Sequence, residues 1–373
     1  MKITCQRDKL LTAFQTAAMF APGRSPKVVL QNIKFEAKKD GVIAMATDME
    51  VGVRVNVEGV DVTSPGSALL PVADFGAILR ESTDESILID AGANGTTIKG
   101  SRSEFKLPGA DPEEFPNVAP FEETKYHAIS ARLFKEIIQR TEFATDLESS
   151  RYALGGVLLE LEPNQVTAVG TDGRRLARMY GPAEAVNGHK GAETNTIVRT
   201  QSMRAIGRAL SEGDEFVHLA ARANDVLLKT PRASFYSRLV EGRYPKWRDV
   251  FPQRRESIKI DVTNGPFHAA LRQAAIACSV DSRGIDLTFG NGTLLLAAAT
   301  SEHGQSRVEM PIGYDGTPVT VRLDHRFVGE FLKVISSEQM ITIDIESGEA
   351  AAVFSADDGR YGYVVMPLSR DSA

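Results

Sequence analysis

The chain has 373 residues, with 42% hydrophobic and 25% charged content. That is the balance of an ordinary folded protein, with length for about two to four domains. No stretch approaches the roughly 18 consecutive apolar residues of a membrane helix. The opening Met1-Lys2-Ile3-Thr4-Cys5-Gln6-Arg7 also lacks the apolar core of a secretion signal, so a cytoplasmic chain with no membrane partner is expected. The net charge of −6 argues mildly against nucleic acid, but an average does not report where charge sits.

In chain order, the first third opens with a short strand and a helix over Lys2–Phe20, whose apolar stripe is Leu10, Leu11, Phe14, Ala17 and Ala18. Paired strands follow across Val42–Val55, turning at Thr47-Asp48. A second helix is predicted over Val72–Glu81, and alternating strands close on Phe105-Lys106-Leu107-Pro108. The pattern restarts at Tyr126–Ala144, with Ser130 as helix N-cap and a stripe of Leu133, Ile137, Ile138, Thr141 and Ala144. Paired strands over Val166–Met179 turn at Thr171-Asp172, a helix is expected over Thr200–Leu210, and strands run through Phe235–Tyr244. The third copy spans Ile258–Cys278, with Asn264 ahead of Pro266 at the helix start and a stripe of Phe267, Leu271, Ala274, Ala275 and Cys278. Its strand turn is Thr300-Ser301, its second helix Asp324–Ile335, and its closing strand Tyr361–Pro367.

Thr47 to Thr171 is 124 residues and Thr171 to Thr300 is 129, so one unit is near a third of the chain. A repeat of that size is too long for a solenoid unit of roughly 20–50 residues. It suggests three similar domains, 1–124, 125–254 and 255–373, divided at the polar stretches Glu122–Lys125 and Gln253–Glu256. Each would run β-α-β-β-β then α-β-β-β, an α+β arrangement suited to an arc or ring.

Enzyme chemistry finds little footing. The six histidines, His127, His189, His218, His268, His303 and His325, show no metal-ligand spacing, and Cys5 and Cys278 form no redox pair. There is no Gly-x-Ser-x-Gly elbow and no phosphate loop ending in Gly-Lys-Ser/Thr. Asp48 and Asp172 recur at matching turns, which an Asx-type hydrogen bond explains more simply than carboxylate chemistry. No catalytic residue, metal or cofactor is expected.

Six segments, in order upon this repeat, carry a resemblance. They are the N-terminal MKITCQRDKLL, Gly23-Arg24-Ser25-Pro26, Arg151-Tyr152-Ala153-Leu154, Thr171-Asp172-Gly173-Arg174-Arg175-Leu176-Ala177, Leu239-Val240-Glu241-Gly242-Arg243-Tyr244-Pro245 and Tyr363-Val364-Val365-Met366-Pro367-Leu368. Over essentially its full length the chain resembles the β subunit of bacterial DNA polymerase III, the sliding-clamp family. The resemblance implies a DNA clamp fold and a head-to-tail homodimer, closing six domains into a ring with helices lining the hole and sheets outside. It implies a non-catalytic processivity factor of DNA replication that encircles double-stranded DNA without regard to sequence. The partners implied are the replicative polymerase alpha subunit, the clamp loader and other proteins bearing a clamp-binding motif.

In such a ring the polar helix faces carry Arg80, Lys135, Arg140, Arg204, Arg208, Arg272 and Arg326, together with Arg7, Lys9 and Lys333. Arg24 and Arg151 lie where the family's rim meets DNA. The family's partner-peptide pocket maps onto Leu154, Thr171, Gly173, Arg174, Arg175, Leu176, Pro245, Val250, Val364, Met366, Pro367 and Leu368, an apolar cleft with a cationic edge. Asp249, Asp324 and Phe327 depart from the usual pocket residues, and the tail beyond Leu368 is longer and more polar than usual. The ring interface maps onto Phe105 and Leu107 of the first domain and Ile276 and Ala277 of the third. The small Ala277 implies a ring that opens readily.

Overall fold

The computed structural model describes residues 1–148, 153–191, 195–252, 254 and 257–369. The chain falls into two compact units. One comprises Met1–Lys135, Leu161–Asn164 and Ala183–Leu239; the other comprises Glu136–Glu160, Gln165–Pro182 and Val240–Ala373.

The helices among the described residues are α1 (Arg7–Ala18), α2 (Val72–Glu81), α3 (Ala131–Thr141), α4 (Thr200–Ala209), α5 (Asn264–Ala274) and α6 (His325–Lys333). Each third of the chain therefore supplies two, as the periodicity predicts. The stripes hold in part: Leu10, Phe14, Ala17, Ile137, Ile138, Thr141, Ala144, Phe267, Leu271 and Ala274 are buried, whereas Leu11, Ala18, Leu133, Ala275 and Cys278 are only half-buried, and Ala13, Phe134 and Ala270 join the buried faces. Asn264 does not cap the helix it opens. Its Nδ2 donates to the carbonyls of Leu332, Ile335 and Ser336 (3.0, 2.9 and 3.1 Å), satisfying acceptors left open at the end of α6. Between the two helices of each third lie more strands than predicted, five, five and four. The additions include Val60–Ser64 and Glu184–Val186. These short segments show little alternation, and cross-strand partners make them strands.

In the first unit a five-stranded antiparallel sheet runs in the order Val60–Ser64, Lys2–Gln6, Ser86–Gly92, Gly95–Lys99, Glu104–Leu107. A nine-stranded sheet joins the first third to the middle one, because Ala233–Arg238 pairs antiparallel with Val51–Val57, Ala233 opposite Val55 and Ser237 opposite Val51. Phe75 of α2 meets Phe14 of α1 edge-on at 5.2 Å and Phe35 at 5.9 Å. Gly76 makes room for that contact, since a Cβ there would stand 3.0 Å from the Phe14 ring.

In the second unit the strand Arg175–Pro182 pairs with Tyr361–Val365, and the sheet continues through Ala352–Ala356 and Met340–Ile345 to Ile258–Thr263. A four-stranded sheet runs Gly304–Pro311, Thr293–Thr300, Gly284–Gly290, Val319–Asp324. Phe331 of α6 stacks on Tyr363 (5.0 Å) and Tyr361 (5.2 Å), which fixes that helix to the long sheet.

Candidate functional site

Of the predicted helix cations, Arg80, Arg208, Arg272, Arg326 and Lys333 are exposed, and Lys135 and Arg204 are half-buried. Arg24 is exposed in a loop held by Ser25, whose Oγ accepts from the Lys27 N–H at 3.1 Å and whose carbonyl accepts from Gln31 at 3.2 Å. Arg151 lies outside the described residues. Arg140 corrects the expectation. It is 6% exposed, ion-paired to Glu136 (2.7 Å) and to Asp357, with its guanidinium 4.9 Å over the Tyr361 ring. A guanidinium tied on three sides has no polar face to turn outward. The exposed cation on α3 is instead Arg132, which lies eight positions earlier on the helix and which periodicity alone does not distinguish from Arg140. Arg7 is likewise engaged, donating to the carbonyls of Leu79 (3.0 Å) and Arg80 (3.2 Å) in the last turn of α2, while Lys9 pairs with Glu58 at 3.1 Å.

The predicted pocket residues all belong to the second compact unit. Register brings the distant ones together: Arg175 faces Val365 and Leu176 faces Val364. The ladder then extends into the tail, because Met366 N–H donates to the Arg174 carbonyl (2.9 Å) and Leu368 N–H to the Arg322 carbonyl (2.8 Å). Leu154, Thr171, Leu176 and Val364 are buried, Pro245, Pro367 and Leu368 are half-buried, and Gly173, Arg174, Val250 and Met366 are exposed. Next to Val250, Phe251 lies under the Arg178 guanidinium (4.7 Å) and against Gly362, where a Cβ would come within 2.9 Å of its ring. The apolar tail also borders a cleft of ≈850 Å³ with Thr320, Arg322, Ser347 and Glu349 on its walls.

The cationic edge is narrower than expected, and this is a second correction. Arg175 is 8% exposed. Its Nε donates to Asp172 (2.9 Å), its two amino groups to Glu330 and to the Phe143 carbonyl (2.7 Å), and its guanidinium lies 4.3 Å over Phe327. It braces its strand against α6 and leaves Arg174 as the exposed charge. Two of the departures acquire roles from the same geometry. Phe327 is the platform under Arg175. Asp324 caps α6, accepting from the Arg326 backbone N–H at 2.9 Å and from its guanidinium at 3.1 and 2.6 Å. Burial alone would raise the Asp324 carboxyl; the hydrogen bonds and charge of Arg326 outweigh it and hold the pKa below the usual carboxylate range. Asp249 is exposed in the 3₁₀ turn Trp247–Asp249.

The predicted interface residues divide. Phe105 is 42% exposed on Glu104–Leu107, the last strand of its sheet, with Leu107 half-buried; Ile276 is 78% exposed. Ala277 is 3% exposed in the short 3₁₀ turn Ala275–Ala277, beside the exposed Ile276.

Comparison with known proteins agrees with this layout. Family models described as the N-terminal, central and C-terminal domains of the DNA polymerase III beta subunit match residues 1–119, 128–246 and 248–369 in turn. The chain belongs to the DNA polymerase III beta subunit family. It is 25% identical to the beta sliding clamp of Staphylococcus epidermidis over 99% of both chains. Against the beta sliding clamp of Staphylococcus aureus strain Mu50 it is 26% identical, over 91% of this chain and 92% of that one. It superposes on the DNA polymerase III subunit beta of Pseudomonas aeruginosa with a TM-score of 0.90 at 26% identity, covering 99% of this chain and 100% of that one. The Bacillus subtilis sliding clamp shares the fold, with a TM-score of 0.92 at 22% identity and 99% of each chain covered. The α+β clamp fold is thus the one expected, and the function is that of the family, a processivity clamp in DNA replication with no catalytic step. Among the described residues no helix is long and apolar enough to cross a membrane.

Proposed function

We propose that two copies of the chain close head to tail into a ring of six domains, 1–124, 125–254 and 255–373 from each copy. The ring encircles duplex DNA in the cytoplasm. It tethers the polymerase alpha subunit, the clamp loader and other motif-bearing proteins through the pocket built on Leu176, Val364 and Met366.

One observation carries this reading. The strand Glu104–Leu107 ends one sheet and Gly304–Pro311 ends another, so two edges from opposite ends of the chain offer unpaired backbone. Different surfaces pairing head to tail make a heterologous contact, and such contacts close into rings when the rotation permits. Phe105, Leu107 and Ile276 are the apolar groups proposed at the seam. Arg80, Arg132, Lys135, Arg204, Arg208, Arg272 and Arg326, with Arg24 and Arg151 at the rim, supply the DNA-facing charge. At a Debye length of about 8 Å such cations attract the phosphate backbone weakly and without sequence preference. Weak attraction suits sliding, because closure rather than affinity retains the DNA.

The test is loading onto nicked circular DNA followed by linearisation. Retention on the circle and release from the linear form are expected. Equal retention on both, or tight sequence-selective binding of a short duplex unaffected by salt, would refute encirclement.

A further inference from the structure

In the second compact unit a cleft of ≈360 Å³ opens beside Leu368 and Ser369, and its walls bring together Arg174, Arg283, Arg322 and Arg326 with Asp281 and Asp324. Asp324 is already engaged as the cap of α6 and the partner of Arg326. Arg322 reaches Asp286 only at 3.7 Å, and Arg283 donates to a neutral carbonyl, that of Val280. With Arg326 paired to Asp324, the guanidiniums of Arg174, Arg283 and Arg322 face the one remaining carboxylate of the lining, Asp281, and leave an excess of positive charge on a chain whose net charge is −6. The other end of the same strand pair carries charge of both signs, the exposed Asp249 standing beside the exposed Lys246 and Arg248. Phe251, two residues after the exposed Asp249, packs at Arg178 and Gly362. Arg178 lies on the strand Arg175–Pro182, four residues beyond Arg174.

We propose that this cleft selects partner peptides by charge. The flank that meets the Arg174 end carries carboxylates. The inference rests on reading the Met366–Leu368 rim as a peptide site and names the partner chemistry that site prefers. Guanidiniums favour carboxylates through paired, charge-assisted hydrogen bonds.

The full-length chain, in the assembly it forms, is titrated against fluorescein-labelled peptides sharing Leu and Phe anchors. The anchors are flanked by two aspartates on the N-terminal side, by two on the C-terminal side, or by serines. One acidic peptide is expected to bind about threefold to tenfold tighter than the serine peptide at low salt, with the gain shrinking as salt is added. Arg283→Ser combined with Arg322→Ser returns that ratio to about one. Arg174→Ser, a change at an exposed turn, reduces the same ratio and guards against misfolding of the double variant. Equal affinity for all three peptides overturns the inference while leaving the pocket reading intact. If the serine peptide fails to bind, the pocket reading fails and the inference with it. If a short duplex displaces the acidic peptide as well as unlabelled peptide does, the arginines serve DNA phosphates and the inference is overturned.

Discussion

The turns Thr47–Val51 and Thr171–Arg175 use the same hydrogen bonds in different surroundings. In each the threonine hydroxyl donates to the carbonyl four residues on (2.7 and 2.6 Å) and accepts the N–H two residues on (2.9 and 3.1 Å). In each the aspartate accepts the N–H groups two and three residues on, at 2.9 and 2.8 Å for Asp48 and at 2.9 and 3.0 Å for Asp172. The third residue is left-handed in both, Met49 at φ 83° and Gly173 at φ 87°. The difference comes from what the turn supports. Asp48 is exposed and holds only its own turn, whereas Asp172 also accepts from the buried Arg175, which reaches on to Glu330 of α6. A duplicated local motif has been recruited in one copy to brace its strand against α6.

That contrast can be broken by mutation. Asp172→Ala leaves a largely buried guanidinium with one carboxylate fewer and should destabilise the chain by about 2–4 kcal/mol, against about 1 kcal/mol for Asp48→Ala, read as urea midpoints. Equal losses would mean that Arg175 adds nothing to its turn. Gly173→Met forces a side chain into the left-handed region and should lose about 1 kcal/mol of stability and weaken peptide binding. The reverse change, Met49→Gly, relieves the same strain and should stabilise by about 0.5 kcal/mol, less the entropy that glycine adds to the unfolded chain.

A fourth test compares Ile3 and His127, which hold the same place in the burial alternation of Lys2–Gln6 and Tyr126–Ser130. His127 Nε2 faces the Glu162 carbonyl at 3.0 Å, so it carries the hydrogen, and His127 Nδ1 accepts from His189 Nδ1–H at 2.6 Å. Burial lowers both pKa values, and for His189 the charge of His127 lowers it further. The unfolded chain, titrating near pH ~6.5, binds protons that the folded pair refuses. The pair's contribution is therefore intact above about pH 6.5 and is lost as pH falls below it. Replacing both histidines by leucine should flatten the acid limb of stability between pH ~7 and ~5, with the least change near neutrality. An unchanged acid limb would exonerate the pair.

Much of the molecule is written locally. The stripes Leu10–Phe14–Ala17 and Phe267–Leu271–Ala274 announce helices because the side chains on one face recur every 3.6 residues. The two Thr-Asp turns are legible because their bonds close within five residues. That Leu176 and Val364, far apart in the chain, lie opposite one another is not a matter of periodicity, and only family resemblance grouped them in the sequence. The burial of Arg140 and Arg175 was not legible. Each has the residue type and spacing of a surface cation, and only its partner says otherwise.

Sequence alone thus determined the threefold repeat, the six helices and the shared turns, all set by contacts between near neighbours in the chain. Tertiary structure decided which charges face outward. Arg140 meets Asp357 from 217 residues away, and Asn264 closes the end of a helix 68 to 72 residues on. Those pairings depend on which surfaces the folded strands bring together, and desolvation then commits a guanidinium to a partner or leaves it in water.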